Sequence, residues 1–425
     1  MKRTQIAPGV FYTQVPGEKF KRCKLAVHLV VPGRRENATA LALLPHVLDR
    51  RCDAVPDPTA LSRLLFSLYG AELGSESYTA GASRIVSLSV GGLKSEYAMA
   101  GEDLAGQYLD LLCNLLFHPK LSDQGFFEDE DLAIEKEKQA EFLKSELNDK
   151  RSYCMRQARR KLYADSPLGI ESPGYLEDLP GITPENLYAE YTNLLNTAQV
   201  EVLACGMDAE AAARRVAESL VRPGRAPVAL PPTEAVPVPP SFEHFSEGMD
   251  TVQGKLCILC ASGKSSDGTA DAVGRVASAL YGGLPTSRLF VSVREQQGLC
   301  YYCATAFGYF GGTLTIDSGV DHDKAEHARD AILAELEKLQ QTPVPQDELD
   351  TAIRYLKSAF SSAKDSPDAL MNWAFTEQIK GTGRSLDEMA EAVGKVTPGE
   401  VQALMAGLTP AVEYVITGKG GASDA

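Results

Sequence analysis

Apolar and polar positions alternate along this chain in two registers. Short runs rich in β-branched residues, at 24–31, 200–205, 313–320 and 412–417, predict strands. Long stretches at 99–117, 124–164, 324–341 and 346–364 place Leu, Ala or Phe on one face and charge on the other, and predict helices. The helices gather between strands without a regular strand–helix alternation. That pattern favours an α+β class, with a mostly antiparallel sheet backed by helices.

One segment interrupts the pattern. From Arg222 to Pro240 the chain reads RPGRAPVALPPTEAVPVPP, and proline at that density blocks helix and central strand. A spacer over 222–245 divides the chain into domains at 1–221 and 246–425. The two halves echo each other. KLAVHLVVPG from Lys24 is matched by KLCILCASG from Lys255, and Ser62-Arg63-Leu64-Leu65 by Ser287-Arg288-Leu289-Phe290. ITPENL before the strand VEVLACG is matched by VTPGEV before VEYVITG. In both, Thr (Thr183, Thr397) is the expected helix N-cap and the proline after it the first helical residue. Four matches in one order argue for an internal duplication.

Composition narrows the function classes. The 425 residues carry a formal net charge of -15, which disfavours a nucleic-acid partner. No window is apolar enough to span a membrane and the N-terminus has no apolar signal core, so the expected location is the cytoplasm. Nine cysteines, an odd number, fit a reducing compartment better than a disulfide scaffold. Two Cys-x-x-Cys pairs, Cys257/Cys260 and Cys300/Cys303, lie in strand-like sequence. There positions three apart point to opposite faces, so neither pair is expected to chelate.

Two constellations carry candidate chemistry. The first is His46-Val47-Leu48-Asp49-Arg50 on a predicted helix; spacings of three and four put His46, Asp49 and Arg50 on one face. The second is Ser287 to Tyr301, SRLFVSVREQQGLCY, in which Arg294 and Tyr301 offer several hydrogen-bond donors. Without further context His46 is an ordinary helix residue, Arg294 pairs with Glu295, and Tyr301 is a strand residue with a wet tip.

Together these stretches resemble the pitrilysin/insulinase (M16-type) zinc peptidases. That family carries His-x-x-Glu-His at the first place, with two histidines on zinc and the glutamate activating water. Here only His46 is kept; Asp49 stands for the glutamate and Arg50 for the second histidine, and a permanent cation cannot ligate a metal. The family's third ligand is the second of two glutamates seven apart on a later helix. Counting seven from Glu135 reaches Phe142, and from Glu137 reaches Lys144; a shift of one residue offers Glu141. The resemblance therefore implies a degenerate site at His46, Asp49, Arg50 and Phe142, with no metal and no catalytic residue. It implies substrate binding by Arg294 and Tyr301, with Tyr302 as a competitor pointing to the opposite strand face. Within the family the stretches 43–74 and NDKRSY (148–153) are similar to the YmfF-type members. These lack the zinc motif, occur beside a zinc-bearing YmfH-type relative, and are associated with the 5-aminopentanol modification of elongation factor P.

The resemblance further implies two sheet-and-helix domains forming half of a clamshell chamber. Its implied function is that of a silent subunit facing a zinc-bearing YmfH-type partner, with zinc in the partner only, a peptide as substrate, and a homodimer as the arrangement in isolation. The rivals are a non-hydrolytic peptide-binding scaffold linked to translation-factor modification and a cryptic enzyme holding zinc through His46 and Glu141.

Overall fold

The computed structural model describes residues 1–164, 166–264 and 268–418. In chain order the first half carries β1 (Arg3–Ala7), β2 (Val10–Val15), β3 (Arg22–Pro32), α1 (Ala38–Leu48), α2 (Pro58–Ser67), β4 (Glu72–Ala80), β5 (Ser83–Leu93), α3 (Leu104–Phe117), α4 (Asp129–Lys144), α5 (Lys150–Leu162), α6 (Pro184–Thr197), β6 (Gln199–Cys205) and α7 (Ala209–Ser219). The second carries β7 (Glu243–Met249), β8 (Gly254–Ala261), α8 (Gly268–Ser278), β9 (Cys300–Gly308), β10 (Thr313–Val320), α9 (Ala325–Gln341), α10 (Gln346–Ala363), α11 (Pro367–Ile379), α12 (Leu386–Gly394), α13 (Pro398–Ala406) and β11 (Thr409–Gly418). The class is α+β. All four strand runs read from the sequence are strands: β3, β6, β10 and β11.

Two helices differ from the sequence reading. The stretch 99–117 becomes helical only at Leu104, where the Asp103 side chain accepts from Gly106 N–H. The stretch 124–164 is two helices, because Asp149 caps a new start by accepting from Arg151 and Ser152 N–H. Thr183 and Thr397 both cap as expected, each in a reciprocal capping box, with Asn186 and Glu400 respectively.

The sheets repeat one topology. The first runs β1-β2-β6-β3-β5-β4 and the second β7-β11-β8-β10-β9. Leaving out β1, each follows the order first, fifth, second, fourth, third. In each the first strand pairs parallel to the fifth and the other pairings are antiparallel. The duplicated strands even keep a buried glutamate at one place: Glu201 on β6, paired with Arg3, and Glu413 on β11, paired with His244.

Two compact units result, and they do not follow the spacer. One comprises Met1–Lys144, Ile170–Pro232 and Ala363–Ser385; the other comprises Ser145–Gly169, Thr233–Ser362 and the residues from Leu386 on. Helix α5 therefore belongs to the second sheet, although it precedes the spacer, and α11 to the first, although it follows it. The reason is apolar coverage of both sheet faces. On β3, Leu25, Val27 and Leu29 pack with the helices of their own half, while Ala26 and Val30 face the other way, onto Met371, Ala374 and Phe375 of α11. In the second unit, Cys154 and Ala158 of α5 cover Cys257, Leu259, Val412 and Ile416. The predicted spacer is also shorter than 222–245. Val228 N–H already bonds Thr197 O at 2.8 Å, and β7 joins β11 from Glu243.

Candidate functional site

In the first unit, α1 ends at Leu48 and delivers His46, Asp49 and Arg50 to one side of the edge strand β4. Ser75 on β4 links two of them. Its hydroxyl donates to Asp49 Oδ2 and lies 3.3 Å from His46 Nδ1. Burial pushes the Asp49 carboxyl up, and the Ser75 hydrogen bond and His46 offset this only in part.

Arg50 turns toward α4. Its Nε donates to Asp131 Oδ1 at 2.6 Å and its Nη1 to Glu135 Oε1 at 2.8 Å. Arg51 also holds Asp131, and Lys138 reaches Glu135 at 2.8 Å. Both carboxylates are buried. Burial alone pushes Asp131 up, but the hydrogen bonds from Arg51 and Arg50 outweigh it and hold the carboxyl below its usual range.

Phe142 is 56% exposed, nearly two helical turns beyond the residue that meets Arg50. That residue is Glu135. Asp131 and Ser75 had no signal of their own. The residues do not fit a zinc ion. His46 brings one nitrogen, Glu135 is engaged by two cations, and a guanidinium fills the second histidine's place. Arg50 supplies to Glu135 the positive charge that a metal would otherwise bring. Among the described residues no group of three or more His, Cys, Asp or Glu side chains is gathered to hold a metal.

In the second unit, Leu289–Gln296 forms a widened, π-type helical turn that carries Arg294. Gly298, at φ 61°, takes the left-handed conformation that reverses the chain into β9. The Arg294 guanidinium lies over the Phe290 ring, 4.4 Å from its centre, and 3.3 Å from the Glu295 carboxylate. Both members of that ion pair are more than a third exposed, so the pair is weak. Tyr301, 58% exposed, donates its hydroxyl to Asp321 at 2.7 Å. Tyr302 turns to the α5 side, donating to Asp317 at 3.1 Å beneath the Arg151 guanidinium.

A bulge sets this arrangement. Gly319 pairs with Tyr302 and Val320 with Cys300, leaving Tyr301 unpaired. The expectation for the Cys-x-x-Cys pairs therefore holds for one and fails for the other. On the regular strand β8, Cys257 packs against α5 and Cys260 lies beside Tyr281 on the opposite face. On β9 the bulge turns Cys300 and Cys303 to one side, where both are buried. All nine cysteines are buried and reduced.

No helix among the described residues is long and apolar enough to cross a membrane. Residues 181–356, which include Arg294 and Tyr301, match the model of the peptidase M16 inactive domain. The chain is 22% identical over 419 residues, 96% of each chain, to a Bacillus subtilis protein named probable inactive metalloprotease YmfF. An uncharacterized zinc protease of Streptomyces coelicolor is 24% identical over 70% of this chain and 65% of its own. Among solved structures, a conserved protein from Enterococcus faecalis superposes with a TM-score of 0.88 at 23% identity, covering 100% of this chain and 99% of that one. A peptidase M16 inactive domain protein from Pseudomonas fluorescens gives 0.78 at 19% identity, over 98% of both.

Proposed function

Because the chain belongs to the M16 peptidase family, we propose that it is the catalytically silent subunit of a heterodimeric zinc peptidase. In this reading a partner subunit of the same family, the YmfH-type relative, carries the zinc. This chain contributes a peptide-binding wall from its second unit. The observation that carries the reading is an asymmetry between its two sites. At the first, Arg50 is ion-paired with the carboxylates that a metal would need. At the second, Arg294 and Tyr301 keep exposed donors whose polar partners, Glu295 and Asp321, are themselves exposed. Exchanging such contacts for a peptide carbonyl costs little. The outer edge of β9 is unpaired within its sheet, so an extended peptide can add as a further strand beside Tyr301.

The test is reconstitution with a zinc-bearing relative. A one-to-one complex with zinc in the partner alone is expected, and it cleaves an unstructured peptide. Arg294→Ala should lower kcat/KM by about 10- to 100-fold, the value of a charge-assisted hydrogen bond. A chain that stays apart from the zinc-bearing subunit, or a variant pair with unchanged kcat/KM, overturns the reading. Peptide binding without cleavage by any mixture would favour a scaffold.

A further inference from the structure

The run NDKRSY (148–153) opens helix α5 and ties it to the second sheet at two points. Asp149 caps the helix by accepting from Arg151 and Ser152 N–H. Tyr153 donates its hydroxyl to Glu247 of β7 at 3.0 Å, and Tyr414 of β11 donates to the same carboxylate at 2.6 Å. Arg151 reaches toward the opposite edge, where its Nε donates to Asp317 Oδ2 on β10. Its guanidinium lies over the Tyr302 ring of β9, 4.5 Å from the centre. We propose that Arg151, Asp317 and Tyr302 form a clamp that fixes the bulge on β9 and so positions Tyr301 for an incoming peptide. The proposal rests on the reading of Tyr301 as a peptide-binding residue.

Tyr302 is held on several sides. Its hydroxyl donates to Asp317 Oδ1 at 3.1 Å, and its carbonyl accepts from the Ser318 hydroxyl at 2.8 Å. The Lys255 ammonium, on β8, lies 5.5 Å from the ring centre. Gly319 is the residue paired with Tyr302 across the ladder. A Cβ there would stand 2.5 Å from ring carbon Cε1, so the ring takes this seat only beside a glycine. Asp317 is 4% exposed and Ser318 is fully buried, which makes these bonds costly to lose. Together they pin Tyr302 to Gly319. The next pair is Cys300 with Val320, and Tyr301 is the residue left over. Without the pin the bulge can move on along β9. Tyr301 then pairs with Gly319, and its phenol turns to the opposite face. Tyr301 itself bonds Asp321, outside the clamp. Arg151 therefore acts on Tyr301 through Tyr302, as a positioning residue. Arginine suits the task, because a guanidinium donates to a carboxylate and stacks on a ring at once.

Fluorine NMR reads Tyr301 directly. The full-length chain is labelled with 3-fluorotyrosine, and the Tyr301 signal is identified by its loss in Tyr301→Phe. Arg151→Ala and Tyr302→Phe should each shift or broaden that signal. Arg156→Ala, which removes another α5 arginine, the partner of Glu146, should leave it in place. Circular dichroism checks that each variant is folded; Tyr302→Phe removes one hydroxyl only and carries the test if Arg151→Ala does not fold. Activity is read with the zinc-bearing relative on an internally quenched, unstructured peptide. Tyr301→Phe should lower kcat/KM about 3- to 10-fold, the value of one neutral hydrogen bond. Arg151→Ala should lower it by as much, and the double variant by no more than either. The clamp is overturned if the Tyr301 signal stays unmoved in the folded variants, or if the two losses multiply. A wild-type pair that cleaves nothing tells against the peptide reading instead, and the fluorine signal then decides the clamp alone.

Discussion

Replacing Arg50 with methionine removes the guanidinium while keeping most of its stem. The side chain is 16% exposed and bonds two carboxylates that are 4% and 8% exposed. Removing one member of a buried ion pair costs about 3–5 kcal/mol, because the other charge is left in a poor medium. Here the loss is partial. Asp131 keeps two hydrogen bonds from Arg51, and Glu135 keeps Lys138. An expected cost of about 2–3 kcal/mol follows, closer to a lost charge-assisted hydrogen bond than to a bare buried charge. The only tryptophan, Trp373, lies on α11 in the same unit, so its fluorescence reports that unit's unfolding. With a urea slope of about 2–3 kcal/mol per molar, the midpoint should fall by about 1 M. The pH dependence supplies a second check. Asp131 has a depressed folded pKa, so its contribution is present above the unfolded carboxylate value, about 3.9, and is lost as pH falls through the folded pKa. The variant should lose less stability over that acid range. A midpoint shift below about 0.3 M at unchanged slope would refute the idea that Arg50 substitutes for a metal's charge.

Three further outcomes are expected. The double substitution Asp49→Glu, Arg50→His restores His-x-x-Glu-His opposite Glu135; elemental analysis should find one zinc per chain, with stabilisation of about 2.7 kcal/mol at a hundredfold excess over Kd, and no bound zinc would count against the assignment of Glu135. His28 is buried against Phe375 with its Nδ1 unpartnered, and burial lowers its pKa to about 3. Below pH 6.5 the unfolded chain takes up a proton that the folded chain refuses, so stability should fall by up to about 1.4 kcal/mol per pH unit, and His28→Leu should abolish that slope in urea melts. Thr397→Ala opens the capping box of α13 and should cost about 1 kcal/mol by the same assay, with Glu400→Gln costing less.

Much of the fold could be read in the chain. The β-branched runs became strands, and the Thr-Pro signatures became capping boxes, because both signals act over a few residues. The duplication was visible in paired motifs and reappears as one strand order in both sheets. At the first site His46, Asp49 and Arg50 were legible from helical spacing. Glu135 could not be singled out, because on a helix this rich in charge only the packing of α4 beside α1 shows which carboxylate Arg50 meets. Ser75 could not be found, because a serine on an edge strand becomes informative only once α1 lies beside it. The bulge at Tyr301 was hidden for a related reason. Strict alternation gives opposite faces for Cys300 and Cys303, and one unpaired residue reverses that. The placement of α5 and α11 was beyond local pattern altogether, since an amphipathic helix does not say which sheet it covers.

That exchange of helices also fixes an order in time. Val15, Ala26, Val30, Ile85 and Leu203 form the face that α11 covers, and α11 is translated long after them. At about 5–20 residues per second, the growing chain spends on the order of ten seconds with this apolar face bare. The first half therefore cannot mature on the ribosome as a finished module. A nascent chain stopped at the spacer should be held by chaperones or lost to aggregation, and α11 supplied later as a separate fragment should restore the fold.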